Sequence, residues 1–371
     1  MKHLLDLDLN QKRVGIRVDL NVPIENGKIL NDERLLAALP SILHILKYTN
    51  ELTIITHLGR PQEGIFDEAL SVRPVMEWFQ NKLKRKITLS RDFDSLGKGI
   101  SFVENVRFQN GEAMNSELLG KKIADCFDVY VMDAFATAHR KAASTYGAIK
   151  YSKLACAGIL FSNEVKNIGL GLNEETTLSS IVGGSKVSTK LEVISNLLLK
   201  SEKVLVGGGI ANTFLKAKGY EIGTSLVEDE MLDVAKQMLT TGKIILPKSV
   251  VIAASIDSDE IDMVDVGSVP KDKMILDITF NVEEFSKTST EVILWNGPLG
   301  IFELDKYSKG TKDLVSYLAG SKSRVIAGGG ETIFAITKFS SIERFHYVST
   351  AGGAFLEFLG GRELPSIEAL N

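Results

Sequence analysis

Short apolar, β-branched runs recur along the chain with longer amphipathic stretches between them, and few folds accept that alternation. In the first half the runs are Val14 to Val18, Leu52 to Thr56, Ser101 to Val106 and Val129 to Met132; in the second they are Leu178 to Val182, Lys203 to Val206, Val292 to Trp295 and Arg324 to Ala327. Strand, helix and strand in succession build βαβ units, whose strands pair in parallel beneath covering helices. A chain of 371 residues exceeds one ordinary core, so the two sets predict two doubly wound parallel-sheet lobes of the α/β class. Between them, Tyr151 to Leu172 carries Leu154, Ile159, Leu160, Val165 and Ile168 at broadly helical spacing and is stopped by Gly169 and Gly171. It is predicted as a connecting helix at 153–172, between a first domain at 1–152 and a second at 173–358.

Local signals agree with this frame. Asn31 or Asp32 can cap a helix running to about Lys47, Pro74 suits a first helical turn, and Asn26-Gly27 marks a tight turn after the first strand. With 44% hydrophobic and 24% charged residues the chain can bury a large core, and a net charge of -4 provides no overall attraction to nucleic acid or an anionic membrane. Cys126 and Cys156 are too few for a disulfide framework and have no zinc spacing, which points to a reducing compartment. The leucines of Met1 to Leu9 are interrupted by acids, unlike a signal peptide, and no apolar run approaches bilayer-spanning length. A cytoplasmic protein is expected.

In open α/β sheets ligands sit outside the carboxyl ends of the strands, and here those positions are basic. Asp19 and Asn21 follow the first strand, with Arg34 on the next helix; His57-Leu58-Gly59-Arg60-Pro61 follows the second; Arg107 follows the third; Arg140 ends the segment after the fourth. Guanidinium forks converging on one crevice suit a small, multiply charged anion such as a phosphorylated organic acid, although any one arginine alone reads equally as a solvated loop charge. Arg17, inside a strand, reads as structural.

The second half answers with glycine turns after its strands: Gly183-Gly184-Ser185-Lys186 running to Lys190, Gly207-Gly208-Gly209 leading to Thr213-Phe214, and Gly328-Gly329-Gly330-Glu331-Thr332. Glycine lets backbone amides approach phosphate oxygens at helix starts, and it also lets a helix pack close to a strand. No G-x-x-x-x-G-K-[ST] and no G-x-G-x-x-G occurs, which argues against P-loop enzymes and standard dinucleotide folds. Lys186 and Lys190 share a face if their segment is helical, and Glu331 can meet a nucleotide's magnesium directly or through water, or serve only as a favourable helix-end charge.

In order along the chain, Arg17-Val18-Asp19-Leu20-Asn21-Val22-Pro23, His57-Leu58-Gly59-Arg60-Pro61, Glu104-Asn105-Val106-Arg107-Phe108, Asp133-Ala134-Phe135-Ala136-Thr137-Ala138-His139-Arg140, Gly207 to Phe214, Trp295-Asn296-Gly297-Pro298 and Ser349-Thr350-Ala351-Gly352-Gly353-Ala354 resemble the phosphoglycerate kinase family over nearly the whole length. The resemblance implies Rossmann-like lobes with a cleft that closes by a hinge, and a monomer. Its activity is reversible phosphoryl transfer between 1,3-bisphosphoglycerate and ADP, giving 3-phosphoglycerate and ATP with Mg²⁺. It implies that Asp19, Asn21, Arg34, His57, Gly59, Arg60, Arg107 and Arg140 hold the phosphoglycerate. Gly184, Lys186, Lys190, Gly208, Asn296, Pro298, Glu303, Gly329, Gly330, Glu331 and Thr332 would hold the nucleotide, with Glu331 toward its magnesium. Arg34, Lys186, Lys190 and the helix starts at Gly330 and Gly353 would stabilise the moving phosphoryl group, and the tail 359–371 would pack on the first lobe. The chain departs from the family at Glu331, where Asp is usual, at Ala136 and Ala351, where Gly is usual, and at Ala142, where a second His is usual. The same residues also admit a kinase for another carboxylic acid, or a non-catalytic nucleotide-binding protein.

Overall fold

A strand covered on both faces reads as an unbroken apolar run, and such runs form the middle of two parallel sheets. The computed structural model describes residues 1–173, 175–286 and 290–371. They divide into two units, Met1–Lys166 with Glu363–Asn371, and Asn167–Arg362.

The first unit contains β1 (Val14–Arg17), β2 (Ile24–Glu25), β3 (Lys28–Ile29), β4 (Leu52–Ile55), β5 (Thr88–Ser90), β6 (Ile100–Val103), β7 (Val129–Met132) and β8 (Ala155–Ala157). Its sheet has the order β5-β6-β4-β1-β7-β8, all parallel. Every residue of β1, β4, β6 and β7 is buried. Arg17 lies opposite Ile55 and Met132, so the loops leaving these strands emerge along one edge. β2 and β3 form a hairpin whose turn residues, Asn26 (φ 49°) and Gly27 (φ 75°), are both left-handed, as a tight hairpin turn demands. The helix Glu33–Ile45 starts where expected, with Glu33 N–H donating to Asn31 Oδ1 at 2.9 Å, and Pro74 lies in the first turn of Arg73–Leu83.

The second unit holds β9 (Leu178–Val182), β10 (Lys203–Val206), β11 (Ile244–Ile245), β12 (Ser249–Ala253), β13 (Ile261–Asp265), β14 (Met274–Ile278), β15 (Val292–Asn296), β16 (Arg324–Gly328) and β17 (Tyr347–Ser349). Its parallel sheet has the order β11-β10-β9-β15-β16-β17, and β13-β12-β14 form a separate antiparallel sheet.

Two boundaries differ from expectation. The connecting segment starts as a strand, because Ala155–Ala157 pairs with Tyr130–Met132, and the helix begins only at Ile159. The buried Asp133 carboxylate accepts Phe161 N–H at 3.0 Å and the Ser41 hydroxyl accepts Ile159 N–H at 2.8 Å, which sets the helix start. At the other end of the chain, Leu359–Arg362 stays with the second unit, where Arg362 meets Glu192 at 2.6 Å. Only Glu363–Asn371 belongs to the first unit: the Ser366 hydroxyl donates to Thr145 O at 2.7 Å and Tyr146 OH to Glu368 Oε1 at 2.9 Å.

Candidate active site

Each interior strand of the first unit delivers a polar residue to the edge where it ends. Arg17 closes β1, His57 follows β4, Arg107 follows β6, and Arg140 lies beyond β7. Side-chain bonds fix the intervening loops: Asn105 Nδ2 donates to Leu58 O (2.8 Å) and Leu70 O (2.9 Å), Gly59 N–H donates to Asn21 Oδ1 (2.9 Å), and Arg107 Nη1 donates to Gly59 O (2.5 Å). Gly59 has φ +56°, and a Cβ there would stand 2.6 Å from Leu70 Cδ2, so the turn admits only glycine without strain.

A cavity of about 360 Å³ opens among these loops, lined by Arg17, Arg60, Arg107 and Arg140 together with Lys141, Glu112, Thr137 and Thr145. Burial, then repulsion from Arg140 and Arg17, lowers the Arg107 pKa to about 10. His57 is held well below the usual imidazole range by burial first, then by Arg17, Arg107, Arg140 and Arg34, so its ring is neutral. Like charges crowded this closely favour an anion among them. Of the residues expected to hold an acid, Arg60, Arg107 and Arg140 line the cavity; Gly59 and Asn21 join it through Arg107, and His57 through Arg17 at 3.2 Å. Asp19 and Arg34 form an ion pair at 2.5 Å off the cavity wall, with Asp19 Oδ1 3.9 Å from His57 Nδ1.

In the second unit, the ends of β9, β15 and β16 are laced together around Lys190. Its Nζ donates to Gly183 O and to Asn296 Oδ1, each at 2.5 Å; Asn296 Nδ2 donates to Gly328 O at 2.7 Å; and Gly297 N–H donates to Thr332 Oγ1 at 2.8 Å. A Cβ on Gly183 would lie 1.8 Å from Pro298 O, so the strand ends approach closer than any side chain permits. Burial lowers the Lys190 pKa to about 8, and the carboxylate of Glu331 opposes that shift.

The helices Gly208–Ala217, Gly330–Phe339 and Gly352–Leu359 start directly after β10, β16 and β17, and none has a side-chain cap. The first amides of the last two, those of Gly330 to Thr332 and of Gly353 included, have no acceptor within their own helix and suit phosphate oxygens, whereas the Gly208 and Ile210 amides already donate to Leu299 O at 2.9 Å and Gly184 O at 3.1 Å. A cavity of about 560 Å³ is lined by Gly184, Gly208, Pro298, Glu303 and Glu331, with an apolar wall of Leu226, Ile256, Met274, Leu276 and Ile301 over the buried Asp277. Asn296, Gly329 and Thr332 stand behind that lining in the Lys190 network. Lys186 does not share a helical face with Lys190: it is exposed in the loop before the short turn Ser188–Lys190, because the chain bends at Gly184 (φ +134°) and Ser185 and takes up no helix before Ser188. Ala351 has φ −98°, where its methyl is tolerated.

Sequence reasoning missed several lining groups. Arg17, read as structural, is buried yet lines the arginine cavity, because the strand ends at Arg17 and not at Val18 as the apolar run suggests. Glu112 lies in an irregular loop with no pattern to find it. Met274 and Leu276 of the apolar wall come from β14, whose Met274-Ile275-Leu276-Asp277-Ile278 run is a strand signal the βαβ pattern did not include.

Among the described residues no group of three or more His, Cys, Asp or Glu could hold a metal by itself, and no helix is long and apolar enough to cross a membrane. The phosphoglycerate kinase family model matches residues 4–362. The chain is 46% identical to the phosphoglycerate kinase of Francisella philomiragia over 99% of its own length and 97% of that protein's, and 44% identical to that of Coxiella burnetii over 98% and 97%. The solved structure of the Coxiella burnetii enzyme superposes with a TM-score of 0.95 at 43% identity, covering 99% of this chain and 98% of that one. The Pyrococcus horikoshii enzyme gives 0.81 at 28% identity, covering 100% and 98%. An arginine-lined cavity at the strand ends of one unit and glycine-rich helix starts around a buried lysine in the other are thus the features of a chain that belongs to the phosphoglycerate kinase family, a phosphotransferase of glycolysis.

Proposed function

We propose that the arginine cavity binds 3-phosphoglycerate or 1,3-bisphosphoglycerate, and that the cavity beside Lys190 binds ADP or ATP. The observation that carries this reading is the convergence of Arg17, Arg60, Arg107 and Arg140 on one small cavity whose charges repel one another until an anion enters. The apolar wall around Leu276 suits a nucleobase, and the uncapped helix starts suit its phosphates.

Phosphoryl transfer needs alignment and positive charge more than covalent work by the protein. Lys190 and Arg34 are the proposed sources of that charge, aided by exposed Lys186 and the amides at Gly330 and Gly353. Both exchanging oxygens are anionic, so no side chain takes a proton and no phospho-enzyme forms. Magnesium fits as the nucleotide's companion: Glu331 lies on the cavity wall close enough to act on Lys190, and a metal that keeps several waters needs only one or two protein carboxylates beside phosphate oxygens. When bound, it would neutralise charge on those oxygens. Closure of the units on both ligands would bring the reacting atoms to about 3–3.5 Å and exclude water.

A monomer in the cytoplasm is the proposed working state; the two free cysteines, Cys126 and Cys156, support a reducing compartment. Light scattering that gave twice the mass of one chain would remove the monomer. The central test is an assay with ATP and 3-phosphoglycerate run beside other carboxylic acids, in the wild type and in Arg107→Ala. Preference for another acid, or an unchanged KM for 3-phosphoglycerate in the variant, would refute the assignment.

A further inference from the structure

Along the wall of the arginine cavity runs a chain of buried groups, of which Glu112 and Ser144 have no task in the transfer reaction itself. Glu112, 3% exposed, places both carboxylate oxygens on a single residue, accepting the Ser144 hydroxyl at 2.5 Å and the Ser144 amide at 2.9 Å. A hydroxyl has one proton. Since Ser144 gives it to Glu112, its oxygen is left as an acceptor, and Arg17 Nε–H fills that place at 3.0 Å. Tyr130 OH donates to Ser144 O at 2.6 Å and Arg17 Nη1 donates to Val18 O at 2.5 Å, so neither residue is free to turn. Arg17 Nη2 then meets His57 Nδ1 at 3.2 Å. A guanidinium has only protons to offer, so Nδ1 accepts, and the single proton of the neutral ring stands on Nε2.

We propose that Glu112 and Ser144 are positioning residues which, through Arg17, fix the tautomer of His57 so that the ring meets the phosphorylated acid as a neutral Nε2–H donor. This rests on the reading of the cavity as the acid's half-site. Every hydrogen bond of His57 runs through Nδ1, so among the described residues nothing competes for the Nε2 proton. Burial and four arginines oppose a charge on the ring, and Asp19 at 3.9 Å does not reverse them. A neutral donor adds a substrate contact without a further cation among groups whose repulsion already shifts Arg107.

Nitrogen-15 spectra of the histidine rings, with His57 assigned by its loss in His57→Gln, read the tautomer without substrate. The wild type is expected to show an Nε2-protonated, uncharged ring from pH 6 to 8. Ser144→Ala and Glu112→Gln are each expected to release the ring into a mixture of tautomers and to raise KM for 3-phosphoglycerate about tenfold, the loss of one hydrogen bond, with KM for ATP unmoved. A wild-type ring protonated on Nδ1, or charged at pH 6, overturns the proposal even if neither variant folds. So does a variant whose tautomer holds, or one whose tautomer changes while KM stays. If Arg107→Ala leaves KM for 3-phosphoglycerate unchanged, it is the half-site that fails, whatever the spectra show.

Discussion

Lys190 shows how one side chain ties the site to the stability of the fold. Its ammonium is buried against Gly183 O and Asn296 Oδ1, and burial brings its pKa from 10.5 to about 8. The unfolded chain therefore holds this proton up to about pH 10.5 while the folded chain releases it near pH 8. Between those values the unfolded state binds more protons, so stability from this residue rises with pH across the window and is flat below it. Over the whole window the rise is worth about 3 kcal/mol. Urea titrations at pH 7.5, 8.5 and 9.5 are expected to show it in the wild type and not in Lys190→Met. The same variant, lacking the charge proposed to act on the transferred group, is expected to lose about 10²- to 10³-fold in kcat with its far-UV spectrum unchanged; turnover at the wild-type rate would remove Lys190 from the mechanism. At this scale the basic strand ends were legible because a residue type and a position suffice to find them. Arg17 was not, since nothing in the order of residues distinguishes a buried guanidinium that faces a cavity from one that only braces a strand.

At the scale of elements, the strands read from the sequence are those with neighbours on both sides: β1, β4, β6 and β7 in one sheet, β9, β10, β15 and β16 in the other. The strands missed in those sheets, β5, β8, β11 and β17, are their edges. An edge strand pairs on one side only and can be two or three residues long, so Ala155–Ala157 carries no pattern of its own and becomes a strand because Tyr130–Met132 presents an open row of backbone groups. The glycine turns behave differently, since their need is steric. Gly183→Ala places a methyl 1.8 Å from Pro298 O, and about 3 kcal/mol of destabilisation is expected, the upper end for overpacking. Gly330→Ala meets nothing within 4 Å, and its melting temperature is expected to stay near that of the wild type. Thermal melts of both variants check the pair; equal losses would show that the close approach of β9 and β15 is not what requires glycine at 183.

For the whole molecule, Glu363–Asn371 completes the first unit although nearly two hundred residues of the second intervene. Ser366 N–H and Oγ–H donate to Ala138 O and Thr145 O, at either side of Arg140. Deleting 363–371 is expected to raise KM for 3-phosphoglycerate several-fold while calorimetry finds ADP binding unchanged; equal weakening of both ligands would place the effect elsewhere. The closure proposed above belongs to the same scale, and small-angle scattering with both ligands bound is expected to give a smaller radius of gyration than with either alone. An unchanged radius would remove closure from the mechanism. The sequence by itself determined two parallel-sheet cores, their order along the chain and the basic and glycine-rich character of the strand ends, because apolar periodicity and backbone sterics act over a few residues. Only the tertiary structure decided which strands close the sheets, which arginines share a cavity, and how Glu112, Ser144 and Arg17 set one ring's proton. Those contacts join residues far apart in the chain, and their energies depend on burial and distance that no local pattern encodes.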